Sequence, residues 1–370
     1  MLDLKLCTSC GACAGVCPTN AISMVRDSVS HKPSIDKDMC VGCGRCQEVC
    51  PGPGFDYEYY HKQIFGSIPN HKLGHYINVY AGHTTDAQIL ASSQSGGFVS
   101  TLLCSLLEQG IIQGAIVSAR LPNAPLEPVS FVARTRTTIL SAVGSIYNSV
   151  PTAELIKNLL QLPGKYVFVG LPCHIHAMRK AEQLYPQLKN AIQCYIGLHC
   201  LGVFTYSIYD RIFSMCGLSQ KDIKEFRHRD KRSGMQHGGA YIVDNNDNVH
   251  LIDPYKSRLH KREQYTNPRC LVCIDKTNQF CDISCGDCRM PRAHAEFKRE
   301  NYDPNDGLSE IVVRTPRGQN TIDRLRNFLY KTYTADEVLK SIYGGINKID
   351  RFEEWCDLLD MYPLYTNKDN

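Results

Sequence analysis

The chain of 370 residues is short of charge of one sign, since Lys and Arg number 41 against 37 for Asp and Glu, which leaves +4. So mild a balance offers no basic field for a nucleic acid or an anionic membrane surface. A charged-then-apolar leader is missing from the opening MLDLKLCTSC, so no secretory route is expected. Long apolar runs are lacking as well. The two uncharged stretches, residues 87–107 and 190–209, each carry Gln, Ser or His together with Gly. Both read as turns between elements, and no transmembrane segment is expected. At 43% hydrophobic and 21% charged residues, disorder and collagen-like repeats are excluded. A soluble, cytoplasmic protein of two or three domains is the expectation, at about 150 residues per domain.

Cysteine is what the chain has in excess, with 19 residues. A chain of this length buries a core without covalent staples, so in a reducing compartment these thiols point to metal. Cys7, Cys10, Cys13 and Cys17 lie in CTSCGACAGVCP; Cys40, Cys43, Cys46 and Cys50 lie in CVGCGRCQEVCP, each 33 residues after its counterpart. This is a duplicated C-x2-C-x2-C-x3-C-P run, the bacterial ferredoxin pattern, in which the fourth cysteine serves the other cluster. One [4Fe–4S] cluster is therefore assigned to Cys7, Cys10, Cys13 and Cys50, and the other to Cys40, Cys43, Cys46 and Cys17. Gly11 and Gly44 let the backbone approach the sulfides. Zinc knuckles would take their ligands in two pairs rather than in two runs of four. Such a unit carries electrons and performs no substrate chemistry of its own.

Beyond Cys50 the stretch PGPGFDYEYYHKQIFGSIPNHKLGHY has no clear periodicity and reads as a connector. From residue 77 strands and helices alternate, which argues for an α/β domain. Ser95-Gly96-Gly97 precedes a helical face of Val99, Leu102, Leu103, Leu106 and Leu107. Strands are predicted at 114–117, 165–169, 192–198 and 310–314, with a hairpin at 240–252 and a helical tail. Cys173 and Cys200 each fall just past the carboxyl end of a predicted strand, the edge where open α/β sheets bind ligands. A second cysteine group, Cys270, Cys273, Cys285 and Cys288, has the local spacing of a short zinc ribbon. Spacing alone leaves open whether Cys270 and Cys273 join Cys285 and Cys288 on zinc, or Cys173 and Cys200 on iron.

Taken together, GLPCHIHAMRK, IGLHC, NPRCLVCIDKTNQFCDISCGD and SQSGGFVSTLL resemble the family of coenzyme F420 hydrogenase/dehydrogenase beta subunits. The resemblance spans about residues 77–318. It implies an FAD and a third [4Fe–4S] cluster, held by Cys173, Cys200, Cys270 and Cys273. The implied fold is α+β/α/β, an N-terminal dicluster ferredoxin fold followed by an α/β flavin-binding domain with a mixed sheet. Its divisions are residues 1–60, a connector at 61–76, the flavin and cluster domain at 77–318, and a helical extension at 319–370.

The implied activity is that of an oxidoreductase linking coenzyme F420, a hydride carrier, to a one-electron redox partner protein or complex subunit through FAD and three clusters. An electron-transfer component or reductase using another hydride donor is the alternative. Ser95, Gly96, Gly97 and Ser100 are the candidates for the FAD pyrophosphate, at a helix start. Gly144-Ser145-Ile146-Tyr147 resembles the family's GSKY segment, with Ile146 in place of lysine, and is expected to border the flavin. The chain departs from the family at CDISCGDC, where Cys281, Cys285 and Cys288 have no assigned role and read as buried thiols or as a fourth metal site. The basic stretch 221–237 reads as a solvated face or as an anion-guiding mouth. Arg314 is left between an ion-pair partner and a flavin contact. The segment 351–365, with Phe352, Trp355, Leu358, Leu359 and Met361 at helical spacing, packs on the body or docks a partner.

Overall fold

The computed structural model describes residues 2–233, 238–259, 262–300, 302–342 and 351–365. Its first unit follows from the duplicated cysteine runs. Gly11 at φ +85° and Gly44 at φ +77° stand as N-caps in the left-handed region, opening the one-turn helices Ala12–Gly15 and Arg45–Glu48. Between them β1 (Ile22–Arg26) and β2 (His31–Ile35) pair antiparallel. The short β3 (Gly54–Phe55) follows.

The stretch after β3, without clear periodicity in sequence, holds a nine-residue helix, Tyr57–Phe65. Asp56 caps it by accepting from the Tyr59 amide, and Gly66 ends it at φ +81°. Tyr57, Tyr60 and His61 are buried on one face, an aromatic stripe that apolar periodicity alone does not register.

The body then lays down β4 (Asn78–Thr84), β5 (Gly114–Leu121), β6 (Ala124–Ala133), β7 (Tyr166–Gly170) and β8 (Ile192–Leu198). An excursion of three antiparallel strands follows, β9 (Ile223–Asp230), β10 (Gly239–Asp244) and β11 (Val249–Ile252). The chain returns with β12 (Ile283–Asp287), β13 (Ser309–Val313) and β14 (Phe328–Tyr333). Eight of these strands form one mixed sheet in the order β14-β4-β13-β12-β8-β7-β5-β6. Its centre, β12-β8-β7-β5, is parallel, and both flanks are antiparallel. Parallel strands need both faces covered. One face packs on the helix Phe98–Glu108 through Leu102, Leu106, Ile196 and Ile283. The other meets the helix Pro172–Leu184 through Tyr166, Phe168, Ile175 and Met178, and that core also takes in Ala12, Val16 and Val49 of the ferredoxin unit.

The predicted strands at 192–198 and in the 240–252 hairpin match β8, β10 and β11. The expected helical tail holds the helices Pro316–Ile322, Ala335–Ser341 and Phe352–Leu359, but a strand interrupts it. FLYKTY, rich in aromatics and with little contrast between its faces, forms β14 and closes the edge beside β4. Further on, the helix Phe352–Leu359 and β15 (Leu364–Tyr365) pack on the body, β15 pairing with β3. No helix among the described residues is long and apolar enough to cross a membrane.

Candidate electron-transfer centre

None of the nineteen cysteines forms a disulfide. In the ferredoxin unit the crossing of the fourth cysteines is visible in the electrostatic neighbours of each thiol. Burial, and after it the charge of Cys50, pushes the Cys10 thiol up to about 12, with a smaller contribution from Cys7. Cys13 is raised by burial and then by Cys10, Cys7 and Cys50. In the other half Cys46 is raised by burial and, among its charged neighbours, by Cys43 and Cys17. Backbone amides supply hydrogen bonds to sulfur, as from Ser9 to Cys7 Sγ at 3.4 Å. N–H donors of this kind stabilise a charged cluster.

The two halves have different surroundings. A side chain at Gly11 would meet the Pro151 carbonyl at 2.5 Å, and one at Gly15 the Ala153 carbonyl at 2.5 Å, so the first half is pressed against the body. Ala153 also donates to the Cys10 carbonyl at 2.8 Å. Gly44 meets nothing nearer than 4.0 Å, and Cys40 and Cys43 are exposed.

In the body, four cysteines from three separate parts of the chain come together. Cys173 stands on the first turn of the helix Pro172–Leu184, directly after β7, where proline is favoured because no intrahelical N–H is lost. Cys200 follows β8, while Cys270 and Cys273 belong to and follow the one-turn helix Pro268–Leu271. All four line one cavity, together with Thr8, Ser9 and Pro51 of the ferredoxin unit. Burial first, and then the charges of Cys10, Cys200, Cys270 and Cys273, push the Cys173 thiol far above its ordinary range. A thiol whose ionisation its cysteine neighbours oppose this way suits a cationic iron core. Gly202 donates to Cys200 Sγ at 3.3 Å. The donor set, its mixed origin and its amide hydrogen bonds fit a [4Fe–4S] cluster.

The zinc-ribbon alternative loses its geometry. Cys285 lies on β12 in the core under the helix Phe98–Glu108, and Cys288 lies in a different core with Met290 and Leu308. Cys281 packs in a third, with Phe280 and Phe55. Burial raises all three thiols, Cys281 and Cys288 to about 12. They are buried thiols, as are Cys104, Cys194 and Cys356.

The expected flavin segments converge on β9. Arg229 donates to the Gln94 carbonyl at 2.8 Å, next to Ser95, and pairs with Asp287. It is also hydrogen-bonded to Tyr147. A side chain at Gly144 would meet Arg227 Nη1 at 2.8 Å, and that nitrogen donates to the Val143 carbonyl at 3.1 Å. Arg258 lies over the Tyr147 ring at 5.9 Å. Thus Ser95–Gly97 and Gly144, Ser145 and Tyr147 flank one basic region, with Ser100 on the adjoining helix. The turn also packs tightly. A side chain at Gly96 would meet the Gly82 carbonyl at 2.3 Å, and the Phe98 amide is taken by Ser309 Oγ at 3.4 Å. From Tyr147 the chain runs directly to Ser149 and Val150, which line the four-cysteine cavity.

The basic stretch is solvated only in part, with Lys221, Lys224 and Arg232 exposed. β9 buries Phe226, His228 and Asp230 on one side and turns Arg227 and Arg229 toward the flavin segments; residues 234–237 lie outside the described residues. Arg314 is held among neutral acceptors, with no salt bridge among the described residues. It is 2% exposed and donates to the carbonyls of Leu73, His75 and Thr277 and to Ser284 Oγ. Arg258 and Tyr365, which also lines the cavity, went unnoticed in sequence because each stands outside any cysteine or glycine motif.

Residues 79–157 and 164–336 match the N-terminal and C-terminal models of the coenzyme F420 hydrogenase/dehydrogenase beta subunit, and residues 6–52 match a 4Fe-4S dicluster domain. A coenzyme F420 hydrogenase subunit beta from Methanosarcina barkeri is 29% identical over 273 residues, 72% of this chain and 84% of the relative. An F(420)H(2) dehydrogenase subunit of Methanosarcina mazei is 25% identical over 329 residues, 88% of this chain and 84% of the relative. A chain of the F420-reducing [NiFe] hydrogenase complex from Methanosarcina barkeri superposes with a TM-score of 0.60 at 25% identity, over 79% of this chain and 95% of that one.

Proposed function

Because the chain belongs to the family of coenzyme F420 hydrogenase/dehydrogenase beta subunits, we propose that it is an iron–sulfur flavoprotein oxidoreductase linking coenzyme F420 to a one-electron partner protein. One observation carries the reading: Cys173, Cys200, Cys270 and Cys273 share a cavity whose wall includes the first loop of the ferredoxin unit. On this reading a substrate-bearing body and an electron-carrying unit would meet at their metal sites rather than through a tether.

The residues divide the work. Cys173, Cys200, Cys270 and Cys273 would hold the body's [4Fe–4S] cluster. Cys7, Cys10, Cys13 and Cys50, and Cys40, Cys43, Cys46 and Cys17, would hold the ferredoxin pair. Ser95, Gly96, Gly97 and Ser100 would bind the FAD pyrophosphate, with Gly144, Ser145 and Tyr147 beside the ring system. Bound FAD supplies the exchange between a two-electron hydride and the single electrons that clusters carry. Arg227 and Arg229 line the mouth, ion-paired with Glu225, Asp230 and Asp287, and would offer N–H donors to the phosphate and carboxylates of a deazaflavin. Orientation of the two ring systems needs no side-chain acid or base. The exposed Cys40 and Cys43 loop supports a partner at the second ferredoxin site, and curated relatives named as hydrogenase and dehydrogenase subunits support assembly into a larger complex.

Ile146, in place of the lysine of the family's GSKY segment, favours a second reading, in which the same cofactors serve a different hydride donor. Anaerobically purified protein decides between them. Iron, acid-labile sulfide, zinc and flavin are counted, and F420 absorbance is followed with an artificial one-electron partner. Three cubanes, one FAD and F420 turnover are expected. Full cofactors without F420 turnover would leave the second reading, and zinc in place of a third cubane would defeat both.

A further inference from the structure

Arg269 stands one residue before Cys270 on the one-turn helix Pro268–Leu271 and is 3% exposed. Its guanidinium donates to four groups drawn from four parts of the chain. Nε reaches the Leu6 carbonyl at 3.2 Å, and Nη2 reaches the Gly52 carbonyl at 2.9 Å. Nη1 reaches the Val272 carbonyl at 3.3 Å, and Nη2 also reaches the Tyr365 hydroxyl at 2.8 Å. Leu6 immediately precedes Cys7, Gly52 lies two residues past Cys50, and Val272 sits between Cys270 and Cys273. One side chain therefore ties the ligand loops of two separate cysteine sets to each other.

The charge is placed as deliberately as the hydrogen bonds. All four acceptors are neutral, so no carboxylate among them cancels the buried cation. Its electrostatic neighbours are Cys270 and Cys273 on one side and Cys50 on the other. Lys180, on the helix Pro172–Leu184, makes a useful contrast. Its charged neighbours are Cys50 and Cys10, both in the first ferredoxin set.

We propose that Arg269 is a positioning residue shared by the first ferredoxin site and the body's four-cysteine site, holding the two ligand sets in fixed relation and keeping one buried positive charge between them. The inference rests on the proposed function, in which both sites hold [4Fe–4S] clusters. A reduced cluster is more negative than an oxidised one, so a cation held nearby in a low-dielectric setting favours the reduced state. Arg269 accordingly raises the midpoint potentials of two clusters together, and Lys180 raises that of one. A purely structural arginine would hold the loops and leave the potentials unmoved.

The test uses the anaerobic full-length protein, with iron and sulfide counted and each cluster followed by EPR during a potentiometric titration. Cys273→Ala identifies the body's signal. Arg269→Met should retain its iron and shift two of the three cubane midpoints to more negative values, while Lys180→Met shifts one. Arg269→Lys, which keeps the charge, should restore most of the shift. Full iron with unmoved midpoints in Arg269→Met would overturn the proposal, as would movement of only one. Should Arg269→Met assemble poorly, Arg269→Gln carries the same expectation, and unmoved midpoints there count against it equally. A wild-type protein with no body cubane signal would instead bring down the functional reading itself.

Discussion

The duplicated glycines show how one residue type serves two ends in one small unit. Gly11 and Gly44 share a left-handed backbone, at φ +85° and +77°, and any side chain there is strained by about 1 kcal/mol or more. Only Gly11 also lacks room, because the Pro151 carbonyl stands 2.5 Å from where a Cβ would lie. Gly44→Ala should therefore cost about 1 kcal/mol, and Gly11→Ala several times that, with loss of iron from the first half. Urea unfolding of the reconstituted protein with iron counts compares them, and equal costs would contradict the packing asymmetry. The cysteines separate in the same way. Cys273→Ala should remove one cubane's iron, about four atoms per chain, and spare the ferredoxin pair. Cys285→Ala should leave the iron count unchanged while costing about 1–3 kcal/mol through the small cavity it opens in a packed core.

Among the elements, the ones legible in sequence were those whose chemistry is local. The ferredoxin runs carry their ligands at fixed spacing, and β8, apolar and bounded by polar turns, announces itself. What stayed hidden depends on tertiary company. The helix Tyr57–Phe65 buries aromatics that pack on Phe280 and His176, and Phe55 just before it lies 4.0 Å from His176 and nearly parallel to it. β14 is an edge strand with Leu329 and Tyr330 exposed, and so lacks the alternation that marks a half-buried strand. The four-cysteine cavity was legible only through family resemblance, because its cysteines come from three separate parts of the chain. Its neighbours Tyr365 and Ser9 carry no motif at all. The C-terminal elements lock this junction, with Phe352 and Cys356 buried in the core that also holds Val16 and Val49 of the ferredoxin. Ending the chain before residue 351 should loosen the ferredoxin unit. Limited proteolysis between residues 52 and 56 should accelerate at least about tenfold while the ferredoxin iron is retained; an unchanged cleavage rate would show that the tail is dispensable.

At the scale of the whole molecule, the burial of titratable side chains sets the acid limit of the fold. His61 and His174 are lowered to about 4, and His199 to about 3, in each case chiefly by burial. His228 is lowered well below its ordinary value by burial and then by Arg120 and Arg258. All four are neutral in the fold, whereas in the unfolded chain each takes a proton near about pH 6.5. Below that pH the unfolded state binds more protons, so stability falls as pH drops from about 6.5 toward 4. Each histidine contributes up to about 1.4 kcal/mol per pH unit across that window. Glu310 acts with the opposite sign. Burial raises its carboxyl from 4.5 to about 8, so the folded state keeps a proton that the unfolded chain releases, and this contribution is lost as pH climbs from 4.5 to about 8. The two slopes together place maximum stability near about pH 6–7. Thermal unfolding of the reconstituted protein from about pH 4.5 to 8.5 checks this. Glu310→Gln should flatten the alkaline side and leave the acid side as steep as before, because the histidines that generate it are untouched. A wild-type melting temperature constant from about pH 6.5 down to 4.5 would mean that the histidines gain protons within the fold, and that the interior around the cysteine sites is wetter than its packing indicates.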